Sequence, residues 1–406
     1  MKVLVLSHMY PNEFNPSYGL FVHQQVTALQ RLGLECRVVA PVPWTALGLG
    51  RLNEKWNKYA STPERENLEG VTVYHPRVIT FPRNFWLSSS GWFYYYGIKS
   101  FVAQLTREFP FDLIHAHVAL PDGYGAVLLK RQYAKPVVVT IHGLDVTQTV
   151  KRSIFCRRAV QTTLNRSDKI IAVSTMLAEL TAKYVKEEQK VTVVHNGISP
   201  ELLYKGESPL RERFKNKKVI LTVAALIKLK GYDYTLRALR EIKENVPEFV
   251  FIIVGDGPEK RELQRLVSEL GLDHNVVFAG RQPHHRTMEY MSICDVFVMP
   301  SWKEGFGVVY LEAMAHGKPV IACKGQGIQD LIVNGVNGIL VEPKDVGSLA
   351  EALKNLLLNS ELRQQIGWRA RETVLNGYTW EDNARKMTEI YKGIVSRKRS
   401  NGRIKL

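Results

Sequence analysis

The sequence predicts an α/β protein made of two doubly wound halves, each a parallel sheet flanked by helices. Three observations carry this expectation. Short apolar runs alternate with longer amphipathic stretches along the 406 residues, the signature of repeated strand–helix–strand units. The alternation stops at a polar, strongly charged stretch, residues 206–218, and then restarts. Hydrophobic residues make up 45% of the chain and charged residues 23%, so each half can bury a core of its own.

In the first half the expected strands are Val3–Leu6, Cys36–Ala40, Val71–Tyr74, Leu113–His115, Val137–Ile141, Lys169–Val173 and Val191–Val194. Between them lie helical stretches such as Phe21–Leu32, Gly91–Glu108 and Met176–Lys186. In the second half strands are expected at Val219–Val223, Phe249–Val254, Val276–Phe278, Val296–Met299, Val320–Ala322 and Gly338–Val341. Helices follow at Tyr232–Asn245, Glu259–Leu270, His284–Met291, Val308–His316, Val346–Leu358 and Glu361–Leu375. The run Asn196-Gly197-Ile198-Ser199-Pro200 closes the first half, and the linker is placed near residue 205. The expected domains are therefore 1–205 and 206–379. A last amphipathic stretch starting at Trp380, in a segment 380–406, is a candidate to pack back on the first domain. It ends in a frayed tail, Arg397 to Lys405, with five basic side chains and no acid.

Composition excludes several classes. The four cysteines, Cys36, Cys156, Cys294 and Cys323, form no CxxC pair and no Cys/His group with zinc spacing, so they read as reduced structural thiols. No metal site is expected. The N-terminal apolar run is too short for a signal peptide, and no run approaches the roughly 18 apolar residues that span a bilayer. A cytoplasmic protein is expected. A formal charge of +16 suits an anionic partner, either a membrane face or a substrate. No nucleic-acid-binding module is visible, and nucleic acid is not an expected partner.

The sharpest signal is Ser301 to Ala315, where a buried-type strand ends at Pro300, a loop with two glycines follows, and a helix starts. Gly305 and Gly307 permit a tight turn and close backbone approach to a ligand. The N–H groups near Phe306, Gly307 and Val308 at the helix start form an anion site that fits a diphosphate. Glu304 lies on the loop and Glu312 about one turn into the helix. Carboxylates beside a diphosphate are repelled by it, so both should accept hydrogen bonds from sugar or ribose hydroxyls. The segment Val223 to Gly231 follows a strand and carries Lys228 and Lys230, suited to neutralising a leaving diphosphate. Gly255, after the strand Phe249–Val254, reads as a backbone turn first and a ligand contact second. In the first half, Gly19 opens a helix and lets backbone approach a diphosphate. His142 ends a buried strand at a rim where core packing is poor. His115 and His117 share one face of another strand end by alternation. His117 lies farther out and is the better site candidate.

Glu304-x7-Glu312 in the setting EGFGVVYLEAMAHGKPVIA resembles the E-x7-E motif of the family-4 glycosyltransferases, whose fold is the GT-B fold of two Rossmann-like domains facing across a cleft. The resemblance covers nearly the whole chain and is strongest from about residue 219 to 345 and at the N-terminus, which looks like members that build bacterial cell-wall or surface polysaccharides. It implies a retaining transfer of a sugar from a nucleoside diphosphate sugar to a hydroxyl of a lipid-linked or polysaccharide acceptor, with no further cofactor. It implies that Glu312 holds the ribose hydroxyls, that Glu304 and His142 stabilise the donor sugar, and that Lys230 binds the diphosphate. The family's G-R-L-x-x-x-K-G motif has Ala225 here at its arginine position, and Lys228 is the nearest residue that could compensate. The nucleotide base is expected against the backbone around Arg281. His117 is assigned to the acceptor. UDP-sugar is favoured over GDP- and ADP-sugar as the commonest donor of the resembled group. The acceptor pocket is expected in the loops of the first half, Val42 to Leu68 included.

Two other readings stay open: a sugar-nucleotide epimerase of the same fold, and a non-catalytic nucleotide-sugar binder. A nicotinamide oxidoreductase is disfavoured, because residues 7–19 lack a complete G-x-G-x-x-G. Finally, Trp92 to Tyr96 together with Lys99, Arg107, Lys130, Arg131, Lys135, Lys151, Arg152, Arg157 and Arg158 mark a face suited to an anionic membrane surface.

Overall fold

A computed structural model describes residues 1–44, 54–80, 86–246 and 248–403. They form two α/β units, Met1–His195 together with the C-terminal segment from Trp380, and Asn196–Thr379. Residues 45–53 of the expected acceptor loops and the last residues of the basic tail lie outside the described residues.

The first unit is built on a sheet whose strands run in the spatial order Val191–Val193, Lys169–Ala172, Val137–Ile141, Leu113–His117, Lys2–Leu6, Glu35–Val39, Val71–Tyr74 and Arg65–Leu68. All neighbours are parallel except the last pair, in which Arg65–Leu68 runs antiparallel against Val71–Tyr74 as an edge strand that the sequence did not reveal. The central strands are buried apart from Lys2 at the start of Lys2–Leu6, as parallel strands covered on both faces must be. Leu113–His117 runs two residues further than expected, because His117 pairs in register with Thr140 of the neighbouring strand. The expected helix Met176–Lys186 is shorter, Thr175–Ala182, with Ser174 capping it through the Leu177 N–H.

The helix Trp380–Arg403 belongs to this unit. Trp380, Ala384, Met387 and Tyr391 form a stripe at helical spacing and are buried with Val26, Leu29 and Val38. Two polar contacts fix the helix in register. The Trp380 indole N–H donates to Gln24 Oε1 at 2.8 Å, and the Tyr391 hydroxyl meets His115 Nδ1 at 2.7 Å.

The second unit carries a wholly parallel sheet in the order Val276–Gly280, Phe249–Val254, Lys218–Val223, Val296–Val298, Val320–Cys323 and Ile339–Val341. The unit begins at Asn196, ahead of the linker expected near 205. The reason is local: Ile198 N–H donates to Tyr378 O at 3.0 Å and Tyr204 N–H to His316 Nε2 at 3.1 Å, which ties this segment to the second unit. The four cysteines are buried and unpaired. Among the described residues no helix is long and apolar enough to cross a membrane.

Both sheets reverse their strand order once near the middle. In the first the reversal lies between Lys2–Leu6 and Leu113–His117, and in the second between Lys218–Val223 and Val296–Val298. At such a point the connections leave in opposite directions, and a crevice opens beyond the carboxyl ends of the two strands. Chemistry is therefore sought after Leu6 and His117 in one unit, and after Val223 and Val298 in the other.

The buried Tyr391–His115 contact gives a direct test of the helix docking. Tyr391→Phe leaves a buried ring nitrogen without its partner and should lower the unfolding free energy by about 1–3 kcal/mol. Urea unfolding followed by tryptophan fluorescence measures it, and an unchanged midpoint would contradict the assigned contact.

Candidate active site

In the second unit the two strand ends at the reversal are stitched together by their loops. Ser301 Oγ donates to Leu229 O at 3.0 Å and Trp302 N–H to the same oxygen at 3.2 Å. This brings Lys230 against Glu304, with Nζ 2.5 Å from Oε2 and the two side chains 19% and 16% exposed. Glu304 is held from behind, its N–H donating to Gln326 Oε1 at 3.0 Å and its carbonyl accepting from Gly327 N–H at 3.2 Å. The ammonium and the carboxylate, one expected at the diphosphate and the other at the sugar, are thus one ion pair.

The loop then turns into the helix Val308–Ala315 through Gly307 at φ 82°. A Cβ here would sit 2.6 Å from the Tyr310 ring, so both the dihedral and the space require glycine. The Phe306 side chain is buried, and the Tyr310 hydroxyl is bonded to Met299 O, which anchors the turn to the strand end. Gly305, Phe306, Gly307 and Val308 therefore form the approach to the helix start, where the first N–H groups precede the regular helical ladder and Tyr310 N–H turns back to Gly307 O at 3.0 Å.

Glu312, on the same helix, is not solvated. His284 Nε2 lies 2.9 Å from its Oε1. Burial works against a charged His284, but the hydrogen bond and the charge of Glu312 outweigh it and hold the imidazole above its usual pKa. His284 opens the helix His284–Ile293. Arg281, whose backbone is expected near the nucleotide base, is exposed, and His284, which the sequence does not mark, lies on the glutamate.

Lys228 goes elsewhere. It is exposed and lines a groove of about 250 Å³ with Tyr232, Arg237, Glu259 and Glu262, between the helices Tyr232–Ile242 and Lys260–Glu269. It does not join Lys230, and Ala225 is exposed with no cation in its place among the described residues that pair with Glu304. Gly255 is a packing turn, its N–H donating to Gly280 O at 2.8 Å.

In the first unit the strand ends gather histidines. His117 Nδ1 lies 3.0 Å from His142 Nε2, with the rings stacked 5.3 Å apart. Phe21, two residues after Gly19, packs on His142 at 4.6 Å. His117 Nε2 is buried and has no partner among the described residues. Burial drives His142 down to about 3 and His117 well below its usual value, so both rings are neutral at physiological pH. His115 is saturated by Tyr391 and by Thr140 Oγ1 at 2.8 Å, which makes it structural. Gly19 has φ 71°, and a Cβ on it would come 2.2 Å from Met9 O, so this position admits glycine alone.

The sequence did not single out a second pair in this crevice. His8 stands two residues beyond the strand Lys2–Leu6. Its Nδ1 is 2.7 Å from Asp122 Oδ2, and its N–H donates to Oδ1 at 3.0 Å. Asp122 is fully buried. Burial opposes charge on His8, but Asp122 wins and raises its pKa. Asp145 lies close by, its Oδ1 accepting from Ala119 N–H at 2.6 Å, and burial raises its carboxyl to about 6. The rule that flagged His142, a histidine just past a strand's carboxyl end, also applies to His8. Asp122, 114 residues away in sequence, gave no such signal. Among the described residues no group of three or more His, Cys, Asp or Glu is placed to hold a metal ion.

Two doubly wound units, one with a Lys–Glu pair beside a glycine-started helix at its strand reversal, define the fold class, and comparison with known proteins identifies the family. Residues 207–373 match the model of the glycosyl transferases group 1, and residues 19–202 that of Glycosyltransferase Family 4. The chain is 32% identical over 287 residues to the glycosyltransferase MJ1178 of Methanocaldococcus jannaschii, covering 69% of this chain and 75% of that one. It is 27% identical over 406 residues to the putative teichuronic acid biosynthesis glycosyltransferase TuaC of Bacillus subtilis, covering 97% and 99%. Its fold matches HepE of Anabaena, solved with UDP and glucose, at a TM-score of 0.74 and 22% identity over 97% and 100% of the two chains. The protein belongs to the family-4 glycosyltransferases of the GT-B fold.

The histidine environments predict an order of titration. Heteronuclear NMR of ring-labelled histidines should show His8 titrating above 6.5, while His142 and His115 stay neutral down to about 3. The unfolded chain takes up the latter two protons near 6.5, so stability should fall as the pH drops from about 6.5 towards 3. A His142 that titrates at the ordinary value would contradict the burial assigned to it.

Proposed function

We propose that the enzyme transfers a sugar from a nucleoside diphosphate sugar, UDP-sugar first among the candidates, to a hydroxyl of a lipid-linked or polysaccharide acceptor, with retention of anomeric configuration. The observation that carries the donor side is the Lys230–Glu304 pair at 2.5 Å, set beside the start of the helix Val308–Ala315 at the reversal of a parallel sheet. A diphosphate seated there meets an ammonium and first-turn N–H groups. Both interact more strongly as negative charge grows on the leaving group, which is the condition for lowering the barrier. Glu304 shares its carboxylate between Lys230 and a sugar hydroxyl, and Glu312 takes the ribose. Gly19 brings backbone to the diphosphate, His142 orients the donor sugar, and His117, whose buried Nε2 has no partner among the described residues, hydrogen-bonds the acceptor. Retention follows from the family resemblance, in which the departing diphosphate helps to deprotonate the incoming hydroxyl. The reading uses no cofactor beyond the co-substrate. The UDP and glucose bound by HepE support the donor class, and the name of TuaC supports a surface-polysaccharide acceptor.

The acceptor proposal extends to the membrane. Ile154 and Phe155 are 51% and 64% exposed, and Lys151, Arg152, Arg157 and Arg158 flank them. Trp92 and Tyr96 are exposed and stacked on the helix Ser90–Glu108, with Lys99 Nζ 4.4 Å above the Tyr96 ring. Lys130 contributes less, since it pairs with Asp168 at 2.7 Å. Exposed aromatics among basic side chains suit the interface of an anionic bilayer. The proposed working place of the enzyme is therefore the cytoplasmic side of such a surface.

Two measurements test this. A nucleotide-sugar panel read by thermal shift should select one donor. Lys230→Ala and Glu304→Ala should each cut its turnover by about 100-fold or more, the scale of losing one transition-state charge contact. Wild-type turnover in both variants would refute the site. Separately, the protein should pellet with phosphatidylglycerol vesicles in low salt and be released by 0.5 M NaCl, where the Debye length falls to about 4 Å from about 30 Å in dilute buffer. Equal pelleting with phosphatidylcholine vesicles would refute the membrane proposal.

A further inference from the structure

We propose that His284 is the positioning residue for nucleotide recognition: it fixes the carboxylate of Glu312 so that one oxygen is committed to the imidazole and the other faces the ribose. The inference rests on the donor reading above and goes beyond it, since neither the motif nor the sequence pattern marks this histidine.

The geometry has three parts. First, the bond is specific in its atoms. His284 Nε2 reaches Oε1 of Glu312 at 2.9 Å, and among the described residues no side chain is bonded to Oε2. A carboxylate on a helix has several rotamers of similar energy, and one directed hydrogen bond selects among them. Second, the histidine does nothing for its own helix. It is the first residue of His284–Ile293, which has Pro283 at the cap position and no side-chain cap bond. A helix start disfavours a cation, yet this imidazole is held above its usual pKa by the glutamate. Third, Glu312 is anchored at its backbone as well. Its carbonyl accepts from His316 Nδ1 at 2.7 Å, so the helix turn that carries it is itself pinned. A partner that is costly for its own helix but directed at a partly buried carboxylate is understood as preorganisation of that carboxylate for a ligand with vicinal hydroxyls. The ligand then meets an acceptor already in place, and binding does not have to order it.

Equilibrium titration calorimetry with UDP and with its 2′,3′-dideoxy analogue tests the assignment, with GDP and ADP and their analogues in reserve. For the nucleotide that binds wild type, His284→Ala should weaken binding about tenfold. The same change should leave binding of the dideoxy analogue within about twofold, because that ligand has no hydroxyl to present. His284→Gln, which keeps an N–H donor at similar reach, should restore binding of the full nucleotide to within about threefold. Circular dichroism melts of each variant establish that it is folded. Equal losses on both ligands, or no loss on either, would overturn the positioning role. If no nucleotide binds the wild type, the donor reading falls and this inference falls with it. If nucleotide binds but His284→Ala is silent, the donor reading stands and this inference alone is wrong.

Discussion

The constraint on which both units depend is the single reversal of strand order in a parallel sheet. Parallel strands need crossover helices, and these helices cover the sheet faces but leave the carboxyl ends of the two central strands uncovered where the winding changes direction. The principal polar contacts of the candidate site cluster around those ends. In the second unit the loops after Val223 and Val298 meet, and the shared acceptor Leu229 O ties them so closely that Lys230 and Glu304 become one ion pair. In the first, the segments after Leu6 and His117 bring His8 to Asp122 and His117 to His142.

The two sites solve the problem of polar groups at a buried rim in different ways. The second unit pairs opposite charges that stay partly in contact with solvent. Such a pair is cheap to keep and easy to rearrange around an incoming anion. The first unit buries His117, Asp122 and Asp145, leaves His8 and His142 partly exposed, and holds the His117 and His142 rings neutral while Asp122 favours a charged His8. It also leaves His117 Nε2 and Asp145 Oδ2 without partners among the described residues. Buried polar atoms are rarely left unpaired, and each marks a place where a ligand or water completes the bonding.

What could be read from the sequence follows the range of each interaction. The glycine-bracketed loop, Glu304, Glu312, Lys230 and His142 all lie on local strand–turn–helix segments, and period and turn chemistry reveal those. The parallel strands were legible as apolar runs for the same reason. Partners were not. His284 bonds a glutamate 28 residues on, His8 an aspartate 114 residues on, and His115 a tyrosine 276 residues on. Lys228 shows the opposite limit. It is two residues from Lys230, but the single turn Lys228–Lys230 sends it to the outer groove. The end of the first unit was misplaced because two hydrogen bonds, from Ile198 and Tyr204, assign a segment whose composition is neutral between the two halves.

The central claim is that a nucleoside diphosphate is seated on the Lys230–Glu304 loops and the start of the helix Val308–Ala315. A crystal structure of the protein soaked with UDP tests it most directly. The account predicts phosphate oxygens within hydrogen-bonding distance of Lys230 Nζ and of the N–H groups around Val308, with the ribose at Glu312. A diphosphate found in the outer groove beside Lys228 and Glu262, with the Lys230–Glu304 loops unoccupied, would contradict it.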